Sequence, residues 1–125
     1  MKEIIATSDA PQAVGPYSQA VRVGNTVYLS GQIAIDPKIG KLVEGDAAVQ
    51  TQQCLKNISA LLKKVGACAD NVVKTTVFLT NIDDFSSVNK EYATFFTHDC
   101  PARSCVAVKE LPLGARVEIE AIVVL

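Results

Sequence analysis

Two strand-like runs near the C-terminus, "PARSCVAV" and "RVEIEAIVVL", carry Arg103, Glu118 and Glu120 among otherwise apolar residues. A guanidinium held partly out of water needs an anion. A carboxylate of the protein would make Arg103 an ion-pair partner of Glu118 or Glu120, or an oligomer contact. A carboxylate delivered from solution would instead be gripped by the planar fork through two parallel hydrogen bonds. Glu118 is either the partner of that arginine or a general base. Alternation alone does not choose between Glu118 and Glu120.

Other polar residues stand where structure and chemistry compete. Asn89 falls between Phe85 and Tyr92 on an apolar helical stripe, so its amide must bond either a nearby loop or a ligand. Tyr17 follows Gly15-Pro16 at a strand entrance, as core or as pocket wall. Ser30-Gly31 closes a strand, and a glycine there lets a ligand approach the backbone closely. His98 is the only histidine, which argues against a Ser-His-Asp triad, and neither a P-loop nor G-x-G-x-x-G is present. "HDCPARSC" gathers His98, Cys100 and Cys105, but the spacing is not C-x2-C and no second pair exists. The reading is therefore no metal and no nucleophilic cysteine, with Cys54, Cys68, Cys100 and Cys105 as free thiols of a reducing compartment.

The composition bounds what must position these groups. With 125 residues, the chain supports one domain and one core, over residues 1–125. Hydrophobic residues at 49% and charged residues at 20% describe a globular chain, and the absence of Trp leaves the core to Val, Ile, Leu and Ala. No apolar run is long enough for a membrane helix, and the start "MKEIIATSDAPQ" has no apolar h-region, so the expected compartment is the cytoplasm. A formal net charge of −1 with scattered Lys and Arg argues against a dedicated nucleic-acid module.

The elements follow from pattern. "YSQAVRVGNTVYLSG" reads as a hairpin turning at Gly24-Asn25, and "QIAIDPKIGKLVEG" as its extension into a surface loop. From Asp46 to Gly66 a stripe of Val49, Cys54, Leu55, Ile58, Leu61, Leu62 and Val65 predicts a helix, capped by Asp46 and ended by Gly66. "NVVKTTVFLT" reads as a central strand. A second helix spans about Phe85 to Thr97 with Asp83 or Asp84 as its cap and Phe85, Val88, Tyr92, Phe95 and Phe96 as its stripe. "ARSCVAV", a turn at "KELPLGA" and "RVEIEAIVVL" complete an α+β chain.

Strand–helix–strand twice over predicts two crossovers and parallel neighbours in a mixed sheet. Two helices cover one face only. Period-2 alternation assigns Val117, Ile119, Ala121 and Val123 to that face and Glu118, Glu120, Ile122 and Val124 to the other. In "ARSCVAV" it separates Arg103, Cys105 and Ala107 from Ser104, Val106 and Val108, and the reading sends Arg103 to the second face with Glu118. Phe78, Ile122 and Val124 would leave an apolar patch there, which copies of the chain would cover in a homo-oligomer. Arg103 and Glu118 would then sit at a subunit boundary.

The segments "AVGPYSQAV", "LSGQI", "VVKTTVFL", "DDFSSVNKEYATFF" and "PARSCVAVKELPLGARVEIEAIVVL" together resemble the RidA/YjgF family, and within it the 2-iminobutanoate/2-iminopropanoate deaminases. The resemblance runs over essentially the whole chain; the loop "THDC" before Pro101 is shorter than in some relatives. It implies a Bacillus chorismate mutase-like fold, with two helices against a mixed sheet and the last strand inserted between earlier ones. It also implies a homotrimer with clefts between subunits. Carried across residue by residue, the cleft would use Tyr17, Ser30, Gly31, Asn89, Arg103, Cys105 and Glu118, with Arg103 and Glu118 catalytic and no cofactor.

The implied reaction is hydrolysis of 2-imino acids, released by pyridoxal-phosphate dehydratases acting on serine or threonine, to 2-keto acids and ammonia. Two other classes use the same residues or the same family. One is a non-catalytic module that binds keto acids as a sensor. The other is a translation-inhibiting endoribonuclease, an activity attributed to some relatives, against which the charge balance and the single histidine weigh.

Overall fold

A computed structural model describes residues 1–125. Eight strands and two helices follow the order β1 (Glu3–Ile5), β2 (Ala20–Val23), β3 (Thr26–Gln32), β4 (Ile35–Asp36), β5 (Lys41–Leu42), α1 (Ala47–Lys64), β6 (Val72–Leu79), α2 (Phe85–Phe95), β7 (Ala102–Ala107) and β8 (Val117–Val124). Six strands form one mixed sheet in the order β1-β2-β3-β8-β6-β7, while β4 and β5 pair apart from it. The α+β class with both helices on one face is as the sequence implies.

Local chemistry accounts for the main elements. The two residues Gly24-Asn25 join β2 to β3, and Gly24 takes a φ of +58°, where glycine alone is free of strain. Asp46 accepts the Val49 amide at 3.0 Å and starts α1. The helix ends in a Schellman motif: Gly66 at φ +74° lets its own amide reach Lys63 O at 3.1 Å and the Ala67 amide reach Leu62 O at 2.8 Å. Leu55, Ile58, Leu61 and Leu62 of α1 are buried against β3 and β8, whose inward residues include Val27, Leu29, Val117, Ile119, Ala121 and Val123. These belong to one cluster of 22 buried residues. Burial of Leu- or Ile-sized side chains at about 1.5–3 kcal/mol each makes this layer the main support of the fold.

Several expectations need correction. The N-terminal segment forms the edge strand β1, with Ile4 opposite Val21 and Ile5 buried, although three residues are too few to give a periodic signal. The surface loop after β3 contains the β4–β5 ladder, and Asn57 of α1 ties it down by donating to Ile33 O at 3.2 Å and Ile35 O at 2.9 Å. Val49 of the α1 stripe is exposed, while Gln50, Thr51 and Asn57 are buried. Neither Asp83 nor Asp84 caps α2 through its side chain; Asn81 instead accepts the Asp83 amide at 2.9 Å and starts a single 3-10 turn that leads into the helix. Only the second crossover joins neighbours. β6 and β7 pair in parallel, whereas β3 and β6 run in the same direction with β8 inserted antiparallel between them.

The assignment of faces holds for β8 and fails for β7. Arg103 and Cys105 register with Thr75 and Val77, both fully buried beneath the helices, so Arg103, Cys105 and Ala107 lie on the helix side. Glu118 and Glu120 register with Phe78 and Thr76 on the opposite face. In β8 one side is uniformly apolar and identifies itself. In β7 both sides carry small apolar residues, so parity cannot say which one the helices cover.

Candidate active site

Tyr17, Ser30, Gly31, Glu118 and Glu120 line one cavity of about 650 Å³, with Pro112 and Leu113 also in its wall. The sheet builds it through an irregularity. The β3–β8 register slips between Leu29 and Gln32, which turns Ser30-Gly31 out of the ladder beside Glu118. The Ser30 hydroxyl donates to Ser18 O at 2.6 Å and its amide to Gln19 O at 3.0 Å, holding the bulge against the chain before β2. A Cβ at position 31 would overlap the Glu118 carboxylate, whose Cδ would lie 2.7 Å away. Gly31 is therefore needed for space, since its φ is not in the left-handed region.

Glu118 is half-buried, and loss of solvent pushes its carboxyl above the ordinary range, with Glu120 beside it adding like-charge repulsion. A carboxylate raised in this way is a better proton acceptor near neutral pH than an ordinary surface glutamate. Tyr17 is 53% exposed, and its hydroxyl accepts the Val14 amide at 3.3 Å across the turn that contains Gly15. Leu113 holds a φ of +58° and is 71% exposed on the rim. Strain of this kind, in a branched residue, persists at sites more often than in passive loops.

Gln19 has an importance that sequence reasoning missed. It is buried, accepts the Thr7 amide at 2.7 Å, and donates to Thr7 O, Ala10 O and Pro11 O at 3.0, 3.2 and 2.7 Å. That one amide fastens the segment that carries Pro11 and Val14 to the cavity wall. The signal available was the same as for Asn89, a polar residue next to a buried strand entrance, but no period marked it.

The remaining candidates lie elsewhere. Arg103 projects from β7 toward α2, where its Nη1 donates to Asn89 Oδ1 at 2.7 Å. No carboxylate pairs with it; the one contact in the chain between a basic and an acidic side chain sets the exposed His98 Nδ1 3.6 Å from Asp70 Oδ1. Within one chain the ion-pair reading of Arg103 with Glu118 or Glu120 is thus corrected: a neutral amide and two aromatic rings hold it, on the face away from both glutamates. Cys105 follows on the same side, half-buried against the core, and its thiol is pushed up by burial despite the nearby Arg103. Such a thiol stays protonated and packs as an apolar group. One chain therefore holds an acidic cavity at Glu118 and, on the opposite face of the sheet, a cationic fork at Arg103.

A profile of the family described as Endoribonuclease L-PSP matches residues 7–125. The chain belongs to the RidA/YjgF family. Among RidA/YjgF relatives, the 2-iminobutanoate/2-iminopropanoate deaminase of Mus musculus is 49% identical over 124 residues, 99% of this chain and 92% of that protein. RidA from the Antarctic bacterium Psychrobacter superposes with a TM-score of 0.95 at 44% identity, covering 98% of this chain and 99% of that one. Escherichia coli TdcF, solved with bound serine, superposes with a TM-score of 0.92 at 40% identity over 98% of each chain. The family resemblance of the sequence is met along the whole fold.

Proposed function

We propose that this protein is a 2-imino acid deaminase, hydrolysing 2-iminobutanoate and 2-iminopropanoate to the 2-keto acids and ammonia. The observation that carries the reading is Arg103, a guanidinium fixed by one hydrogen bond to Asn89 and paired with no carboxylate of its own chain. A small organic acid supplies the missing anion. The 49% identity to a named deaminase and the serine bound by TdcF, itself a small carboxylate, support the same substrate class.

In the proposed mechanism Arg103 clasps the substrate carboxylate and fixes the imine carbon. Glu118 takes a proton from water as its oxygen adds to the C=N carbon. Glu118 then returns that proton to the amine nitrogen of the tetrahedral carbinolamine. Ammonia leaves with the C–N bonding pair as the C=O bond forms, and the hydroxyl proton passes to Glu118 and on to solvent. Tyr17 and the Ser30-Gly31 backbone line the cavity where that centre develops. The two glutamates also favour the protonated iminium, the more electrophilic form, over the neutral imine. Because imines hydrolyse unaided in water, the acceleration required is far below the roughly 8–23 kcal/mol of barrier that typical enzymes remove.

Arg103 and Glu118 lie on opposite faces of one sheet, so the reading requires the fork of one copy to meet the cavity of another. The second face supplies the contact: Ile4, Tyr28, Val106 and Val124 are exposed there, with Phe78 and Ile122 half-buried between them. A homotrimer with three inter-subunit clefts is the assembly we propose. The purified protein, added to a threonine dehydratase reaction, should speed the release of 2-ketobutyrate. Arg103→Ala should abolish the gain, and Arg103→Lys should lose about tenfold or more, since an ammonium cannot make the two-pronged contact. An unchanged release rate with wild-type protein would leave a keto-acid sensor in place of an enzyme.

A further inference from the structure

The fork of Arg103 lies on a built platform. Its guanidinium carbon is 4.9 Å from the centroid of Tyr92 and 5.5 Å from that of Phe85, while Asn89 takes one N–H. Phe85, Asn89 and Tyr92 share one face of α2 at i, i+4 and i+7, so a single helix stripe supplies all three contacts. Tyr92 is itself locked from beneath. Its hydroxyl and Thr75 Oγ1 lie 2.7 Å apart, with Thr75 at 0% and Tyr92 at 6% exposure. Thr75 is in turn the register partner of Arg103 on the neighbouring strand. The contacts close a circuit from β7 to α2 to β6 and back to β7.

A phenylalanine over a valine would fill the same volume with no polar atom to satisfy. A buried hydroxyl pair instead fixes the depth and plane of the ring, and either hydroxyl left alone would carry a desolvation cost. A core contact needs no such definition, whereas a ring that must hold a guanidinium at a set distance does. We propose that Tyr92, locked by Thr75, is a positioning residue for Arg103, holding the guanidinium so that its unbonded N–H edge faces the substrate carboxylate. This deepens the reading of Arg103 as the carboxylate clasp and rests on it.

The test compares wild type, Tyr92→Phe, Tyr92→Leu and Thr75→Val, each with Arg103 and with Arg103→Lys. Nitrogen-15 relaxation at Arg103 Nε reports the order of the fork without reference to activity, and the dehydratase-coupled assay reports KM and kcat. Order at Nε should fall modestly in Tyr92→Phe and Thr75→Val and strongly in Tyr92→Leu. KM should rise roughly threefold in the first two and roughly tenfold in the last, with kcat within about twofold. In the Arg103→Lys background the same substitutions should change kcat/KM by less than about twofold, because the fork they position is gone. Wild-type order at Nε in Thr75→Val and Tyr92→Phe, or equal losses in both backgrounds, would overturn the proposal. Should Tyr92→Leu fail to fold, the two conservative variants decide. A wild-type protein without deaminase activity would defeat the functional reading, while the relaxation data would still decide whether Tyr92 positions Arg103.

Discussion

Arg103 and Glu118 both interrupt an otherwise apolar sheet, and the structure accommodates them differently, Arg103 exposed and Glu118 half-buried. Arg103 keeps its charge against aromatic faces and a neutral amide, which leave most of its donors free. Glu118 is given no cation; burial and Glu120 oppose its ionisation. The linkage has a definite sign. A carboxyl whose folded value is raised adds stability that is fully present below the unfolded value, about 4.3, and lost as pH rises through the folded value. Glu118→Gln should therefore melt higher than wild type at pH 7 and lose that advantage near pH 4, as thermal denaturation at the two pH values would report. The same substitution should remove the activity. Glu120→Gln, by contrast, relieves the repulsion, so the acid limb of kcat/KM should move to lower pH while activity at pH 7 survives. An acid limb that stays in place would separate Glu118 from the rate.

At the scale of elements, the bulge at the end of β3 does most to shape the cavity. Gly31→Ala illustrates which effect wins. The backbone there tolerates any residue, and replacing glycine restricts the unfolded chain, a gain of about 0.4–1 kcal/mol. The atom in the way is the mobile end of Glu118, which can swing aside. The variant should fold with a melting temperature within a few degrees of wild type and lose tenfold or more in kcat/KM, a pairing that melting curves and the coupled assay can check. Elements held by local chemistry were legible in the sequence: the Gly24-Asn25 turn, α1 between Asp46 and Gly66, and the apolar side of β8. What the sequence hid depends on tertiary placement. Three-residue β1 exists only because β2 offers it an edge, and Asn57 is buried only because it ties a distant loop. The parity of β7 isolated Arg103 and Cys105 correctly but left their side of the sheet open, and the side chosen was the wrong one.

For the whole molecule, the separation of the two proposed half-sites is the decisive feature. Arg103 and Asn89 lie at the β7 edge on the helix side, while Glu118, Tyr17 and Gly31 open on the other side of the same sheet. The apolar residues of the second face have no partner within the chain, and their burial between copies would bring fork and cavity together. Charge placed on that face tests the arrangement without touching either half-site: Ile122→Glu should yield smaller particles by light scattering and parallel loss of activity. The most direct measurement mixes two dead proteins. Arg103→Ala and Glu118→Gln chains, co-expressed and purified as mixed assemblies through different tags, should regain activity, because some clefts then join an intact Arg103 from one chain to an intact Glu118 from another. Mixed assemblies that stay as inactive as either parent would contradict a site shared between copies.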